Sequence, residues 1–248
     1  MHRVLILGAG KIGALISGLL AESGSYRVQL ADVDGAAAES VVRAHGTAHL
    51  VSYALDATQA PALERHLAEH PVDAVISSLP YYCNVAVAEA ARKAHAHYFD
   101  LTEDVEVTRA VRAIAVGASE AFVPQCGLAP GFISIAAAEL ITHFDTLRAV
   151  KLREENYVNK VYPQVIAGRL WSAIQVTTAA GITAVVDLVL EKKGRYQGFV
   201  AQEQFRLTDI LANRFGRFYA PGGTKNESGE VVVAGKTGHQ RRKKAANA

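Results

Sequence analysis

The first half of the chain alternates short apolar runs with segments whose apolar residues recur at helical spacing. The runs predict six strands, at residues 3–7, 27–31, 49–53, 73–77, 97–101 and 121–124. The intervening segments predict helices near residues 12–20, 36–44, 61–69, 85–94 and 105–117. Strands separated by helices of this length are typical of βαβ units. We therefore expect an α/β fold with a doubly wound parallel (Rossmann) sheet in the order 3-2-1-4-5-6, and a ligand at the carboxyl ends of its strands.

The second half has a different pattern. A Gly- and Pro-containing loop at 127–131 precedes a predicted helix at 133–143, and residues 150–153 are compatible with one strand. Residues 157–171 are interpreted as irregular, and two further helices are predicted near 173–191 and 207–215. From residue 222 the composition turns polar and ends in a basic cluster at 241–244. Such a segment is expected to be a disordered, solvated tail, with contact to acidic surfaces as the alternative.

Composition narrows the class of protein. Half of the residues are hydrophobic and the formal net charge is +2, a balance that gives no case for nucleic-acid binding. Cys83 and Cys126 form no Cys-x-x-Cys pair, so neither a metal site nor a disulfide framework is expected. This usage suits the cytosol, and a first strand from residue 3 leaves no room for a signal peptide. The apolar stretch 173–190 contains Gln175 and Asp187, which favours a buried helix over a membrane span.

The most informative local pattern follows the first predicted strand. Gly8, Gly10 and Gly13 form a Gly-x-Gly-x-x-Gly sequence with Lys11 and Ile12, directly before a helical pattern. In this context Gly8 permits a tight turn, Gly10 lets the backbone approach a pyrophosphate, and Gly13 lets helix and strand pack closely. The amides at the helix start and the helix dipole favour an anion. The sequence therefore predicts a dinucleotide site here; a tight turn without a ligand is the alternative.

Two acids extend this prediction. Asp32 ends the second predicted strand, where a carboxylate accepts hydrogen bonds from the ribose hydroxyls of NAD and repels the 2′-phosphate of NADP. Neither Val33 nor Asp34 supplies a compensating cation, so NAD is favoured and NADP stays possible. Asp56 follows the third strand, where contact with adenine and capping of the next helix are equally compatible with its position.

The end of the fourth strand is predicted to lie near the nicotinamide half of the cofactor. Ser77, Ser78 and Leu79 are expected to contact the cofactor, and Tyr81 is expected to wall the pocket or to place a phenol near the substrate. Asn84 is interpreted as the N-cap of the following helix.

The fifth and sixth strands end in further candidate groups. Thr102 is expected to cap a helix whose positive end Glu103 and Asp104 favour, while one of these two carboxylates is the alternative candidate for proton transfer. Gln125 is expected to line the pocket and contact the cofactor. Cys126 is interpreted as a wall residue, because nothing in its neighbourhood indicates a lowered thiol pKa.

Several long segments resemble one family of enzymes. They comprise residues 8–13, 97–104, 123–132, 155–162, 171–181 and 211–216. Together they resemble the saccharopine dehydrogenase superfamily, most nearly its L-lysine dehydrogenase-like branch. The resemblance implies a dinucleotide domain at 1–125, and a substrate domain with C-terminal helices that return to the first domain, here reduced to 126–221. It also implies NAD or NADP as cofactor and oxidation or reduction of a carbon–nitrogen bond in a lysine-like amino acid.

One departure from the family pattern bears on activity. After Arg153 the sequence passes directly to Glu154, where members of the family carry most of the sheet of the substrate domain. The missing strands would cover the nicotinamide and hold the substrate. Their loss exposes apolar surface, which predicts a homo-oligomer.

Two functions from different classes are compatible with this sequence. The first is an NAD(P)-dependent oxidoreductase in which Glu103 or Asp104 serves as acid–base group and Tyr81 lines the site. The second is a non-catalytic dinucleotide-binding or partner-binding remnant of such an enzyme. Loss of the central segment through an error in the sequence is a third interpretation of the gap.

Overall fold

The computed structural model describes residues 1–142 and 161–219. Their main feature is a seven-stranded sheet in the order β3-β2-β1-β4-β5-β6-β9, with all neighbouring strands parallel. The strands are β1 (His2–Leu7), β2 (Tyr26–Asp32), β3 (Leu50–Ala54), β4 (Ala74–Ser77), β5 (His97–Asp100), β6 (Ala121–Val123), β7 (Gln164–Ile166), β8 (Arg169–Trp171) and β9 (Gly198–Phe199). The predicted doubly wound sheet and its order of six strands are confirmed, and β9 adds a seventh strand that was not predicted.

Helices cover both faces of this sheet. They are α1 (Lys11–Glu22), α2 (Gly35–His45), α3 (Ala60–Glu69), α4 (Asn84–Lys93), α5 (Val105–Ile114), α6 (Phe132–Ile141), α7 (Ala173–Glu191) and α8 (Leu207–Ala212). Those in the first half lie where the helical spacing predicts them, although α5 ends before the predicted boundary. A 3-10 turn at Gly216–Tyr219 follows α8, whose predicted range is therefore too long.

Polar caps fix several helix ends. The Asp34 side chain accepts hydrogen bonds from the amides of Ala36 and Ala37 at the start of α2, and Gly46 ends that helix in a left-handed conformation. Ser172 and Gln175 form a capping box at the start of α7. These caps satisfy backbone groups that helix ends leave without partners.

The second half contains a short hairpin at 164–171, which contradicts the irregular structure expected for these residues. β7 and β8 pair antiparallel across Ala167 and Gly168, which have φ values of 50° and 71°. Positive φ at both central residues is typical of the tight turns that match the twist of a hairpin. Trp171 of β8 is buried in the same core cluster as α1 and α7. The hairpin is a small second sheet that packs against the first half of the chain.

Helix α7 ties the second half to the main sheet. It is long and apolar enough to cross a membrane, but 78% of its apolar window is buried within the protein. Asp187 accepts hydrogen bonds from the Tyr26 hydroxyl and from Arg214, and the Asn213 amide donates to it at 2.7 Å. Arg214 also donates to Ser25 Oγ at 2.7 Å. This group, which we call the Asp187 cluster (Tyr26, Asp187, Asn213 and Arg214), joins the last described helices to the start of β2.

Three sequence predictions fall outside the described residues. They are the strand at 150–153, the junction at 151–156 that replaces part of the family pattern, and the basic tail at 222–248.

Candidate functional site

The turn between β1 and α1 is held by contacts that only glycine permits. Gly8 has a φ of +101°, and its amide donates to the Ala31 carbonyl at 2.8 Å. A Cβ on Gly8 would lie 2.7 Å from the Ser78 carbonyl oxygen, and one on Gly13 would lie 1.9 Å from the Gly8 carbonyl oxygen. Both positions are therefore closed by the backbone of the protein itself.

Gly10 differs from these two glycines. A Cβ placed on Gly10 would meet no described atom within 4 Å, and its φ of −62° is accessible to any residue. It is the N-cap of α1, and no side chain of the described residues caps the amides of this helix. The open space therefore adjoins free backbone donors at the positive end of the helix, which is the arrangement that binds a phosphate group. Lys11 and Ile12 form the first turn of α1 beside this space.

Asp32 at the end of β2 supports the same turn. Its Oδ2 accepts a hydrogen bond from the Ala9 amide at 2.7 Å, and its Oδ1 accepts one from the Asp34 amide at 2.9 Å. The carboxylate is half-buried, and each oxygen has a second lone pair. Asp32 therefore connects β2 to the glycine turn and keeps lone pairs that can accept hydrogen bonds from a ligand. Such a ligand would lie in the crevice at the carboxyl ends of the strands.

A pocket of about 190 Å³ opens next to Asp32. It lies between the ends of β1, β2 and β3 and the turn that follows β4. Its lining includes Gly8, Asp32, Val33, Leu55, Asp56, Thr58, Leu79, Pro80, Tyr82 and Cys83. Apolar walls with a carboxylate on one side suit the adenosine part of a dinucleotide.

Asp56 lies in this pocket and also stabilises its own turn. Its Oδ1 accepts hydrogen bonds from the Thr58 amide at 3.0 Å and the Thr58 hydroxyl at 2.6 Å. These hydrogen bonds hold the pKa of Asp56 below its usual range. The N-cap of α3 is Gln59 rather than Asp56, so the carboxylate shapes the turn before the helix and remains at the pocket wall.

The end of β4 combines buried and exposed groups. Ser77 is buried and donates to Asn84 Oδ1 at 2.7 Å, while the Ser78 amide donates to the Leu7 carbonyl at 2.9 Å. Asn84 is the first residue of α4 and not its N-cap, so the capping prediction for Asn84 is wrong. Tyr81 is 57% exposed. It lies in a 3-10 turn that gives the chain one extra turn before α4 begins.

The end of β5 contains a buried carboxylate that sequence reasoning missed. Asp100 is fully buried, and burial raises its pKa because the ionised form loses hydration. The Tyr98 hydroxyl donates to Oδ2 at 2.7 Å, and the Thr102 and Gln125 amides donate to Oδ1 at 2.9 and 3.0 Å. The only sequence signal is that Asp100 ends a parallel strand on the ligand side, as Asp32 does.

The two acids after β5 have different surroundings. Asp104, not Thr102, is the N-cap of α5, because its Oδ1 accepts the Val107 amide at 2.8 Å. Thr102 instead accepts the Asp104 amide at 3.1 Å, so its predicted capping role is wrong. Glu103 is exposed, and its carboxylate makes no hydrogen bond or ion pair with any residue in the described ranges.

Cys126 follows β6 in a buried position. Its thiol donates to the Val123 carbonyl at 3.0 Å, and burial raises its pKa, so it is not poised as a nucleophile. Gln202, which sequence reasoning also missed, donates from Nε2 to the Pro124 carbonyl at 2.8 Å. No cluster of three or more His, Cys, Asp or Glu side chains that could hold a metal ion occurs among residues 1–142 and 161–219.

Comparisons with known proteins agree with this geometry. A family model described as "Saccharopine dehydrogenase NADP binding domain" matches residues 4–185. Among solved structures, the chain is similar to apo saccharopine dehydrogenase (L-Glu forming) from Saccharomyces cerevisiae, with 26% identity and a TM-score of 0.51. That match covers 58% of this chain and 31% of the yeast chain. The chain thus spans about a third of the length of the yeast enzyme.

Two more distant structures share lower similarity. A myo-inositol dehydrogenase from Corynebacterium glutamicum has 18% identity and a TM-score of 0.44, and the match covers 58% of this chain and 41% of that one. The WlbA dehydrogenase from Bordetella pertussis, solved with NADH and UDP-GlcNAcA, has 15% identity and a TM-score of 0.44, with coverages of 57% and 41%.

The family match extends from β1 into α7 and includes the glycine turn, Asp32, Asp100 and the loop after β6. It covers well over half of the chain and coincides with the elements that form the crevice. This chain therefore belongs to the saccharopine dehydrogenase NADP binding domain family.

Proposed function

We propose that this protein is an NAD-dependent oxidoreductase of the saccharopine dehydrogenase kind, acting on the carbon–nitrogen bond of a lysine-like amino acid. The observation that carries the proposal is the open space at Gly10. Gly8 and Gly13 are required by the protein's own packing, whereas Gly10 is not. A glycine that internal packing does not require, at the start of a helix with uncapped amides, is explained by a ligand that approaches the backbone.

The residues of the crevice fit a nicotinamide dinucleotide. Gly8, Gly10, Lys11, Ile12 and Gly13 would hold its pyrophosphate. Asp32 would accept hydrogen bonds from the adenosine ribose, and its negative charge favours NAD over NADP. Asp56 would face the adenine. The bound dinucleotide supplies the hydride acceptor, so the protein has to bind, orient and exclude water.

The ends of β4, β5 and β6 would form the side of the crevice where chemistry takes place. Ser78, Leu79 and Gln125 are the groups proposed to contact the cofactor there. The contact expected for Ser77 is not proposed, because its side chain is buried and donates to Asn84. An amine must lose a proton when its carbon–nitrogen bond is oxidised. Among the candidate groups Glu103 is favoured for this step over Asp104, because the Asp104 carboxylate already caps α5. Tyr81 is exposed after the end of β4, and its phenol is proposed to contact the substrate.

One observation favours a second function, that of a dinucleotide-binding remnant without catalysis. The second sheet of the described residues is only the β7–β8 hairpin, and the chain spans about a third of the yeast enzyme. A substrate wall of this size excludes less water and orients a substrate less firmly. Assembly into a homo-oligomer is proposed as the way in which a reduced substrate domain is covered.

The test compares the wild type with Gly10→Ala. We expect NADH to raise the melting temperature of the wild type, because ligand at a hundredfold excess over Kd adds about 2.7 kcal/mol to the free energy of unfolding. Gly10→Ala should melt like the wild type without ligand and lose at least about tenfold in NADH affinity, a change of about 1.4 kcal/mol. A variant that binds NADH as well as the wild type would contradict the assignment of the crevice.

Activity is measured separately as NADH formation from NAD and L-lysine, followed by a panel of lysine-like amino acids. Steady formation of NADH supports the enzyme and excludes the remnant. A melting temperature raised by NADH, with no turnover of any amino acid tested, supports the remnant. A wild type that responds to neither NADH nor NADPH overturns both functions.

A further inference from the structure

A buried chain of hydrogen bonds connects the ends of three neighbouring strands. Ser77 at the end of β4 donates to Asn84, whose backbone carbonyl accepts the Tyr98 hydroxyl at 3.3 Å. Tyr98 of β5 also donates to Asp100, and Asp100 accepts the Gln125 amide just after β6. Ser77, Asn84 and Asp100 are each at most 1% exposed. The ends of β4, β5 and β6 are therefore held by one network from which water is excluded.

Asp100 is the centre of this network. Its carboxylate accepts three hydrogen bonds, from Tyr98, Thr102 and Gln125. Its backbone carbonyl accepts a fourth from the Cys126 amide at 2.8 Å. Because Asp100 is 0% exposed, it cannot itself touch a ligand in the crevice. Any effect on the site must pass through the groups that it holds.

The group whose conformation most needs support is Gln125. Its φ of 64° lies in the left-handed region, which costs free energy for a residue with a side chain. The hydrogen bond from its amide to Asp100 fixes this peptide in place. The same carboxylate oxygen holds Thr102, at the start of the loop that contains Glu103 and Asp104. One buried side chain thus sets two loops at the carboxyl edge of the sheet.

The position of these loops assigns them to one half of the cofactor. Dinucleotides in doubly wound sheets lie across the point between β1 and β4 where the strand order reverses, with one nucleotide on each side. The pocket next to Asp32 and Asp56 is on the side of β2 and β3. The loops held by Asp100 are on the side of β5 and β6, so they face the nicotinamide nucleotide.

We propose that Asp100 is a positioning residue for the nicotinamide half of the site, acting through the backbone of Gln125 and Thr102. The inference rests on the dinucleotide binding proposed above. It predicts that loss of Asp100 impairs recognition of the nicotinamide nucleotide and leaves recognition of the adenosine diphosphate half intact, because no hydrogen bond of Asp100 in the described residues involves Asp32 or the glycine turn.

The test measures Kd for NADH and for ADP-ribose by titration calorimetry in the wild type, Asp100→Ala and Asp100→Asn. ADP-ribose lacks nicotinamide, so the Kd for ADP-ribose divided by the Kd for NADH reports the nicotinamide contribution. We expect Asp100→Ala to reduce this ratio about tenfold while its Kd for ADP-ribose stays within about twofold of the wild type. Asp100→Asn should restore most of the ratio, because its amide oxygen can still accept the Thr102 and Gln125 amides.

Asp187→Ala is the matched control for destabilisation alone. Asp187 is another buried carboxylate with three hydrogen-bond donors, but its partners are Tyr26, Asn213 and Arg214, and Tyr26 lies at the amino end of β2, opposite the carboxyl ends that form the crevice. It should lower the melting temperature and leave the ratio of Kd values unchanged. If Asp100→Ala does not fold, Tyr98→Phe decides the question, because it removes one hydrogen bond to Asp100 and should reduce the ratio by about twofold to threefold.

Each outcome decides for or against the proposal. An unchanged ratio in a folded Asp100→Ala, or an equal loss of affinity for both ligands, overturns it. A wild type that binds ADP-ribose but gains nothing from nicotinamide overturns this inference and leaves the dinucleotide turn in place. A wild type that binds neither ligand overturns the proposed function and this inference together.

Discussion

The two sides of the crevice are built from contacts of different range along the chain. On the side of β1 to β3, the Asp32 carboxylate accepts the Ala9 amide and Gly13 packs on the Gly8 carbonyl, all within one βαβ unit. On the side of β4 to β6, Asp100 reaches Gln125, and Gln202 reaches back to Pro124 from beyond α7. The side proposed to bind adenosine therefore uses contacts within one βαβ unit, whereas the side proposed to bind nicotinamide also uses a contact from beyond α7.

Because of this difference, we expect binding of the dinucleotide and catalysis to depend on different parts of the chain. The hydrogen bonds that shape the glycine turn and Asp32 come from residues of β1, α1 and β2, while Trp171 and α7 of the second half pack in the same core cluster as α1. On the side proposed to bind nicotinamide, the loop after β6 leads into α6, and Gln202 donates a hydrogen bond to the Pro124 carbonyl in this loop. This side therefore depends on the second half of the chain. We therefore expect a relative that loses part of its substrate domain to keep dinucleotide binding more readily than catalysis.

The largest expected effect comes from disrupting the glycine turn between β1 and α1 with Gly13→Ala. The new Cβ would lie 1.9 Å from the Gly8 carbonyl oxygen, a backbone atom that cannot move without opening the turn. We expect a loss of about 3 kcal/mol in the free energy of unfolding, the upper range for overpacking. Urea unfolding monitored by circular dichroism measures it. Since Gly10→Ala adds the same methyl group to open space, equal stability of the two variants would contradict this account.

The next largest effect concerns a long-range contact outside the crevice, where Arg214→Met removes the cation of the Asp187 cluster at the start of β2. Asp187 would keep Tyr26 and Asn213 but lose its ion pair. We expect a loss of about 2 kcal/mol, less than for a fully buried pair because the Arg214 side chain is 38% exposed. Thermal unfolding measures this loss. Arg217→Met is the matched control, because Arg217 packs on Phe218 and forms no ion pair with a described residue.

A smaller change sharpens the assignment of Asp32. Asp32→Asn removes the negative charge and retains one oxygen acceptor for the Ala9 amide or the ribose. We expect the preference for NADH over NADPH to fall about tenfold, which corresponds to about 1.4 kcal/mol. Kd values for both cofactors, measured by quenching of protein fluorescence, give the preference. A variant with the wild-type preference would show that the 2′-position does not approach Asp32.

The smallest expected effect is a pH dependence from two histidines far from the crevice. Burial lowers the pKa of His66 and His97 below the usual value of 6.5. The unfolded chain therefore binds protons first as the pH falls, so their stabilising contribution is complete above pH 6.5 and declines as the pH drops through the lower folded pKa values. Each contributes a slope of at most about 1.4 kcal/mol per pH unit.

Urea titrations at a series of pH values measure this dependence. His66→Gln keeps a donor for Gln29, and His97→Asn keeps an acceptor for the Ala121 amide. The decline in the free energy of unfolding below pH 6.5 should be shallower in both variants. A decline as steep as that of the wild type would show that other titratable groups cause the pH dependence.

The sequence predicts the first half well because its signals are local. Apolar runs bounded by glycines and acids place β1 to β6, and the glycine spacing with Asp32 locates the turn that the structure contains. These features arise within segments shorter than one βαβ unit. Periodicity and turn chemistry are therefore sufficient to predict them.

The features that could not be predicted from the sequence depend on distant partners or lack a periodic pattern. β9 has two residues, too few for alternation to be detected, and it exists because β6 offers an open edge. The role of Asp100 was missed because its partner is the backbone amide of Gln125, a group that every non-proline residue carries. Asn84 is wrongly predicted as a cap because no pattern in the sequence indicates the extra turn at Tyr81–Cys83.

The late position of β9 has a consequence for synthesis of the protein. The strands β1 to β6 are all synthesised before β9, so β6 keeps an exposed edge until residue 198 is made. An unpaired edge of this kind is a site for pairing with other nascent chains. The Gly198 amide, which donates to Glu120 at 2.9 Å, and the Val200 amide, which donates to Phe122 at 3.0 Å, close that edge. We therefore expect the two residues of β9 to protect the β6 edge from pairing with other chains.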